Sequence, residues 1–569
     1  MTELLKKLLA LRGITTEEDI ETFLFPDYAK HVLDPMLLSD MDKVVARIIK
    51  ALRDEEKIKV FTDFDADGIP SAVLMNDALT KLGAKDFSIS IPHRNTEGFG
   101  LNERVVDECI DSGVKLLITI DCGMGDATRI DRAMAAGIDV IVIDHHQEGE
   151  EGAPKCIVVN PNKIGDEYPN KSLCGAGVAY KVVQAVIAEM RRQGLVVDKG
   201  REDERTESKL ETGSRQPVAV PVGWEKWLLD MVGIATLSDM VALIGENRAL
   251  AHYGLMVLRK SPRPGIRALC DRARIRQRYL TDDDVVFTIT PRINAASRMD
   301  EPEAAFRLLA ATTMQEADLL AEHLEGVNNS RKGAVASMTK EINAMLASRE
   351  EIPSVVVVGN THWRPGLLGL AATKVAETYN RPAFVWGQGE STMIKGSCRS
   401  GGGVDIMLLM TEAKECFVEY GGHKHSGGFS TTVQHIIRLE ESLSGALDRA
   451  VAIAQEEAPE HDAELALSDV TYAMHTDVQR MAPFGAGNKK PVFLFKDCLV
   501  SGAEPFGKEK QHTRLTLGEN SAVSAIQFFS DEKLKGVKAG ETLSLLAHIE
   551  EDSFGRRRGI RLRIVDILS

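Results

Sequence analysis

The 569-residue chain has no uninterrupted apolar stretch long enough to cross a bilayer, which excludes a helical membrane span and any membrane partner of that kind. Its N-terminus, MTELLKKLLALRG, lacks the apolar core of a secretory signal. Cysteine is sparse: eight thiols are scattered with no CxxC pair. That argues against a zinc site or a disulfide frame and predicts reduced thiols in a cytoplasmic protein. An excess of positive charge is lacking as well. With 69 basic and 84 acidic residues the balance is −15, so any nucleic-acid binding must rely on local basic patches. No long internal repeat is present.

What is present is apolar residue enough, 44%, for several cores. At about 150 residues per domain the length predicts roughly four domains. Residues 1–50 read as an N-terminal helical segment. Residues 51–255 alternate strand and helix, interrupted by a polar, aperiodic insertion at 194–223. Residues 256–350 form a basic and helical connecting segment. It starts with RKSPRPGIRALCDRARIRQRY, whose eight basic residues face one acid, Asp271. A solvated helix face is the usual origin of such a run, but in an acidic chain it also fits a phosphate-backbone contact. The stretch 302–351 reads as helical throughout, long enough to link two lobes. A second α/β domain follows at 351–455. Residues 456–569 show short strand patterns of the kind that build a small β-barrel such as an OB-fold, and Arg556, Arg557, Arg558, Arg561 and Arg563 concentrate positive charge there.

The chemistry gathers at strand ends. IDVIVI, β-branched and bounded by Ala136-Gly137, reads as a buried parallel strand and ends in Asp144, His145 and His146. KIKVFTDFDADG ends with Asp63, Asp65 and Asp67 at alternate positions, and KLLITIDCGMGD ends with Asp121. Asp239 lies inside the apolar stretch GIATLSDMVALIGENR. A lone strand-terminal Asp is usually a helix cap or a turn residue. Three strand ends bearing acids, one with paired histidines, are hard to explain as independent caps. In an open α/β sheet such residues converge in the crevice at the carboxyl edge, and carboxylates with neutral imidazoles suit manganese, magnesium or zinc. DFDADG also starts like a calcium loop, but Leu74 stands where its twelfth-position acid belongs, which discounts an EF-hand. Two Gly-rich segments, GSCRSGGGVD (396–405) and YGGHKHSGGFS (420–430), hold Arg399, His423 and His425. They read as turns whose backbone N–H groups approach an anion.

DFDADG, ITIDCG, VIDHH and LSDMVAL resemble the four motifs of the DHH phosphoesterase superfamily. PRINAASRMD, HWRPGLLGL, GSCRS, GGHKHSGG and PFGAGNKKPVF resemble the marks of the RecJ family of single-strand-specific DNA exonucleases, in that family's order over nearly the whole chain. The resemblance implies a DHH-type parallel-sheet domain joined by a long helix to a DHH-associated α/β domain, with the active site in the cleft between them and a C-terminal OB-fold barrel. It implies 5′ to 3′ hydrolysis of single-stranded DNA to nucleotides, in repair and recombination, with two Mn2+ or Mg2+ ions. Helicase and single-strand-binding-protein partners go with that activity. Carried over by motif, the metal ligands are Asp63, Asp65, Asp67, Asp121, His145 and Asp239, with Asp121 bridging. Asp144 orients an imidazole and His146 faces the scissile phosphate. Arg94, Arg298, Ser397, Arg399 and His423 are the expected substrate contacts, the arginines forming a 5′-phosphate pocket.

The sequence departs from the family pattern at Ile69-Pro70 after DADG, at Arg364 where His is usual, at Ser297 in place of Gly, and at His425-Ser426 after GGH. None of these removes a proposed metal ligand. The rival expectations are a DHH phosphodiesterase acting on short oligonucleotides or cyclic dinucleotides, a pyrophosphatase, and a non-catalytic replication scaffold. Phe61 stands where the pyrophosphatases have a His, and a scaffold has no need of the ligands present here.

Overall fold

The computed structural model describes residues 1–149, 152–198, 217–388, 393–450, 461–507, 510–518, 523–530, 532–552 and 559–568. They form two compact units, one of residues 34–239 and 253–456, the other of residues 1–33, 240–252 and 457–569. The 1–50 segment is thus divided between the units.

The first unit opens with a parallel sheet of β1 (Ile58–Thr62), β2 (Phe87–Ser90), β3 (Leu116–Ile120), β4 (Asp139–Ile143) and β5 (Ile157–Val159), in the order β2-β1-β3-β4-β5. β1 and β3 are buried at every position, as strands covered on both faces must be. One face packs on Val105, Val106, Cys109, Ile130 and Ala133 of the connecting helices. Lys59, buried in β1, is neutralised by Glu108 at 2.7 Å. The strand order reverses direction between β1 and β3, so the crevice opens between their carboxyl ends. Helices α1 (Gly68–Lys81), α2 (Gly175–Arg192) and α3 (Leu229–Ser238) flank this edge.

A connecting region leads through α4 (Thr290–Arg298) to α5 (Met314–Ala347), 34 residues long and therefore about 50 Å at 1.5 Å per residue. The 302–351 stretch is not helical throughout. It breaks between a helix at Pro302–Ala310 and α5, because Thr313 turns extended and its hydroxyl accepts the Glu316 N–H at 3.3 Å. The far end of α5 buries Val335, Met338, Ile342 and Leu346 in the core of a second α/β lobe. That lobe has β6 (Val356–Asn360), α6 (Pro365–Tyr379), β7 (Ala383–Gly387), β8 (Ile394–Arg399), β9 (Glu419–His423) and β10 (Ser426–Thr431), with sheet order β9-β10-β8-β7-β6. Only β6 and β7 are parallel in it.

The Gly-rich segments are strand in part, and Gly402 and Gly403 of the first stand in a turn with φ 62 and 76. GSCR ends β8, and GGH…SGGF forms the β9–β10 hairpin. Gly396 serves close packing: a Cβ on it would lie 2.0 Å from the Phe429 ring. The basic stretch likewise serves packing in part. Arg263 sits between Asp230 at 2.7 Å and Asp77 at 2.6 Å, a buried pair that leaves this guanidinium unavailable to phosphate. In the 194–223 insertion, Val196–Val197 pairs with Val218–Ala219; 199–216 lie outside the described residues.

The other unit is a barrel of β11 (Phe493–Phe506), β12 (His512–Leu517), β13 (Val523–Gln527), β14 (Thr542–Asp552) and β15 (Gly559–Leu568). The ring runs β11-β12-β13-β15-β14 and closes on β11 through Phe493↔Ala547 to Leu499↔Thr542. Closure removes the sheet edges. Leu5, Leu8, Leu9, Phe23 and Leu24 from the N-terminal helices join Phe493, Phe495, Val500 and Leu545 in one core. Arg561, buried, pairs with Glu550 at 2.7 Å and Asp552 at 3.0 Å, so it is part of the barrel wall; Arg556, Arg557 and Arg558 lie outside the described residues.

Candidate metal centre and arginine pocket

β1, β3 and β4 end at one level, since Thr62 pairs with Ile120 and Ile120 with Ile143. The residues that follow are Asp63, Asp121 and Asp144, at the crevice that the reversal of strand order opens. Asp121 holds a left-handed backbone (φ 61), a conformation Asp tolerates at modest cost, and its N–H donates to the Ile143 carbonyl at 2.9 Å. Gly175 makes room for it, because a Cβ there would lie 2.7 Å from Asp121 Cβ.

The acids and imidazoles assemble into overlapping groups of metal-ligand geometry: Asp63, Asp65 and Asp121; Asp67, His145 and Asp239; and Asp121, His145 and His146. His145 Nε2 is 3.1 Å from Asp121 Oδ1 and 3.8 Å from both Asp67 Oδ2 and Asp239 Oδ2. Asp67 occupies the N-cap position of α1 without capping it. Its oxygens accept the Gly175 and Ala176 N–H groups at the start of α2, at 2.6 and 2.8 Å. Asp65 takes the turn instead, accepting the Asp67 N–H at 2.8 Å.

Asp144 does not face the group. Its Oδ1 accepts from His146 Nδ1 and the His145 N–H, both at 2.7 Å, and its Oδ2 from the Met124 N–H at 3.1 Å. Two asparagines just past β5 fasten the pair: Asn162 Nδ2 donates to the His145 carbonyl at 2.5 Å and Asn160 Nδ2 to that of His146 at 2.8 Å. The Val-Asn-Pro-Asn run that supplies them was a readable signal, a strand ending in side chains suited to turns.

Burial first, and then the neighbouring carboxylates, push these acids up. Asp67 rises to about 7 and Asp239 to about 8, and Asp63 and Asp121 also rise. Burial also takes His145 down to about 4, keeping it a neutral donor, whereas Asp144 outweighs burial at His146 and raises it to about 9. Asp63 Oδ1 is buried without a hydrogen-bond partner. Crowded carboxylates, an orphaned buried oxygen and an uncharged imidazole are what a site for divalent cations requires. The residues therefore fit the ions.

A second cluster adjoins the first. Arg94 lies over the Phe64 ring at 4.9 Å, close enough for Asp63 and Asp65 to act on it. Arg298 at the end of α4 donates to the Gly366 carbonyl at 2.7 Å. Arg399 at the end of β8 lies against α6, where a Cβ on Gly369 would be 2.9 Å from Arg399 Nη2 and 3.6 Å from Ser397 Oγ. None of these three arginines forms an ion pair among the described residues. Burial and the charges of Arg94, Arg331 and Arg399 depress Arg298 to about 9. Arg331, on α5, is a member that motif reading missed; an Arg on a long polar helix gave no signal. His423 ends edge strand β9, exposed. It is cross-strand from Ser426, which pairs on its other side with Arg399.

Three family models match in chain order: the DHH family N-terminal domain over 57–206, the DHHA1 domain over 352–456 and the RecJ OB domain over 461–566. The single-stranded-DNA-specific exonuclease RecJ of Escherichia coli is 31% identical over 436 residues, 75% of this chain and 71% of that protein. This chain belongs to the RecJ family. The RecJ of Bacillus subtilis is 29% identical over 571 residues, 100% of this chain and 68% of its own. The structure of Thermus thermophilus RecJ in complex with Mn2+ covers 100% of this chain and 76% of its own, with a TM-score of 0.78 at 24% identity. The RecJ fold thus runs through both α/β lobes and the barrel. Among the described residues no helix is long and apolar enough to cross a membrane.

The barrel carries a surface of its own. Phe506, His512, Phe528 and Phe529 form a ring cluster with centroids 4.9 to 6.1 Å apart, edge to face except for the tilted Phe506–His512 pair, and Arg514 lies 5.2 Å from the Phe506 ring. Phe529 is 76% exposed and left-handed (φ 55), a strained way to hold a bulky residue, fixed by its N–H donating to His512 Nδ1 at 2.9 Å.

Proposed function

We propose that this chain hydrolyses single-stranded DNA from its 5′ end, using Mn2+ or Mg2+ held by the strand-end cluster. The observation that carries the reading is the pair of ligand groups joined at Asp121 and His145. Asp63, Asp65 and Asp121 would hold one cation and Asp67, His145 and Asp239 the other, and Asp121, which also groups with His145, would be shared between them. Two such cations supply an attacking water acidified to neutral pH and relief of charge on the departing oxygen. Asp144 holds His146 by Nδ1, which leaves Nε2 to donate to the scissile phosphate. Arg94, Arg298, Arg399 and Ser397 bind the terminal 5′-phosphate. Arginine forks match phosphate oxygens. His423, farther along the sheet edge, contacts the strand beyond that phosphate.

The barrel supplies a base-stacking face, Phe506, His512, Phe528 and Phe529, for the following strand. The setting is cytoplasmic, in keeping with eight unpaired cysteines, and a helicase and a single-strand-binding protein supply and hold the substrate. The test is purified protein with manganese, given end-labelled single-stranded and duplex DNA and, separately, pyrophosphate. Nucleotide release from the single strand alone is the expected result. Hydrolysis of pyrophosphate, or equal attack on the duplex, overturns the reading.

A further inference from the structure

Arg94 and Arg298 flank one asparagine contact that no motif requires. Asn95 Oδ1 accepts the Gly366 N–H at 2.9 Å, and its Nδ2 donates to Asp300 Oδ1. Gly366 is the second residue of α6, and its carbonyl accepts from Arg298. Asp300, two residues past Arg298, is held left-handed (φ 68), and its other oxygen lies 3.7 Å from Arg364 Nη1. The space is closed: a Cβ on Gly366 would lie 2.9 Å from Asn95 Oδ1 and 3.2 Å from the Arg298 carbonyl. One amide thus joins three pieces of the same compact unit: the loop after β2, the segment after α4 and the start of α6.

The geometry points to Asn95 as a positioning residue that sets the distance between the terminal-phosphate pocket and the metal centre, and so the length of nucleotide released per cut. The cation ligands stand on the first lobe, while Arg399 and Ser397 stand on the second. A strand anchored by its 5′-phosphate presents one particular phosphodiester to the centre only if the lobes keep one spacing. The Asn95 bridge spans that junction directly beside Arg94. Each partner is a short polar group with a defined direction, so the bridge holds an angle as well as a distance. Arg364 adds a charge to the Asp300 end of the bridge, a contact made possible where this chain departs from the family's usual His. The inference rests on the reading of the arginines as a 5′-phosphate pocket.

The experiment compares the full chain with Asn95→Ala, Asp300→Ala and Asp300→Asn. Each is given 5′-phosphorylated and 5′-hydroxyl single strands with manganese, and the first products are sized. Wild type and Asp300→Asn, which keeps an acceptor for Asn95, are expected to release one product length. Asn95→Ala and Asp300→Ala are expected to release a mixture. A displacement of about 1 Å at a reacting centre costs up to the order of 100-fold, so kcat is expected to fall about 10- to 100-fold with little change in KM. A hydrogen bond that merely stabilises the fold lowers the melting point without changing product length. A single product length from both alanine variants overturns the inference. Loss of the single length in Asp300→Asn as well overturns the hydrogen-bonded bridge as its cause. If wild type ignores the 5′-phosphate, the pocket reading fails, and the sizing of products still decides whether Asn95 sets a register.

Discussion

His145 Nε2 stands 3.1 Å from Asp121 Oδ1 and 3.8 Å from Asp239 Oδ2, so one uncharged imidazole touches carboxylates of both ligand groups. With the ring held neutral by burial, the contact is not an ion pair. The geometry suits a ligand set for cations, and it makes Asp121 and His145 the junction of the centre.

Asp121→Asn is expected to reduce hydrolysis on the order of 1,000-fold, because an amide cannot balance two cations at once. Binding of single strands, measured by fluorescence anisotropy, is expected to stay near wild type, since the arginine pocket and barrel are untouched. Near-normal turnover at saturating manganese contradicts the bridging role.

Thermal stabilisation by Mn2+ is expected to grow with pH. In the metal-free chain Asp67 and Asp239 are raised to about 7 and about 8 from 3.8. Each then favours the folded state fully below pH ~4, and that contribution is lost as pH rises towards the folded values. The cations bind the carboxylates, so they compete with those protons and replace the lost stability. Melting curves with and without manganese should show a larger shift at pH 8 than at pH 6. An equal or smaller shift at pH 8 contradicts the assignment.

Gly175→Ala places a methyl 2.7 Å from Asp121 Cβ. Overpacking of this kind costs about 1–3 kcal/mol, and displacement of Asp121 should lower kcat roughly 10- to 100-fold. Chemical denaturation and single-turnover kinetics measure the two effects. Wild-type values for both would show that the helix start yields freely.

Phe528→Ala with Phe529→Ala is expected to weaken binding of long single strands, at about 1–3 kcal/mol per lost stacking contact, while turnover of the shortest oligonucleotides is unchanged. Unaltered affinity for long strands removes the stacking face from the account.

The acids were legible because a strand buried on both faces has no apolar reason to end in Asp, and three such strands in succession imply one sheet edge. That Asp121 and Asp144 follow strands ending at one level was not legible, since the register of parallel strands is set by how the connecting helices pack on the sheet. The RecJ motifs named Arg94, Arg298 and Arg399 but not the bridge between them, because Asn95 acquires its partners only when Asp300 and Gly366 arrive from 205 and 271 residues away. The glycines divide: Gly396 and Gly427 let strands and the Phe429 and Met410 side chains approach closely, while Gly402 and Gly403 take a turn, and sequence alone does not separate the two uses. Within the charged runs, Arg263 and Arg561 are tied to Asp230 and Glu550, partners that their sequence neighbours do not reveal.

The central claim is that two ligand groups hold two cations on one chain. Calorimetric titration of Mn2+ into the metal-free full chain, into Asp63→Ala and into Asp239→Ala tests it most directly. Two ions per chain in wild type and one in each variant, with hydrolysis lost in both, is the predicted result. A single ion in wild type, or two retained in both variants, contradicts it.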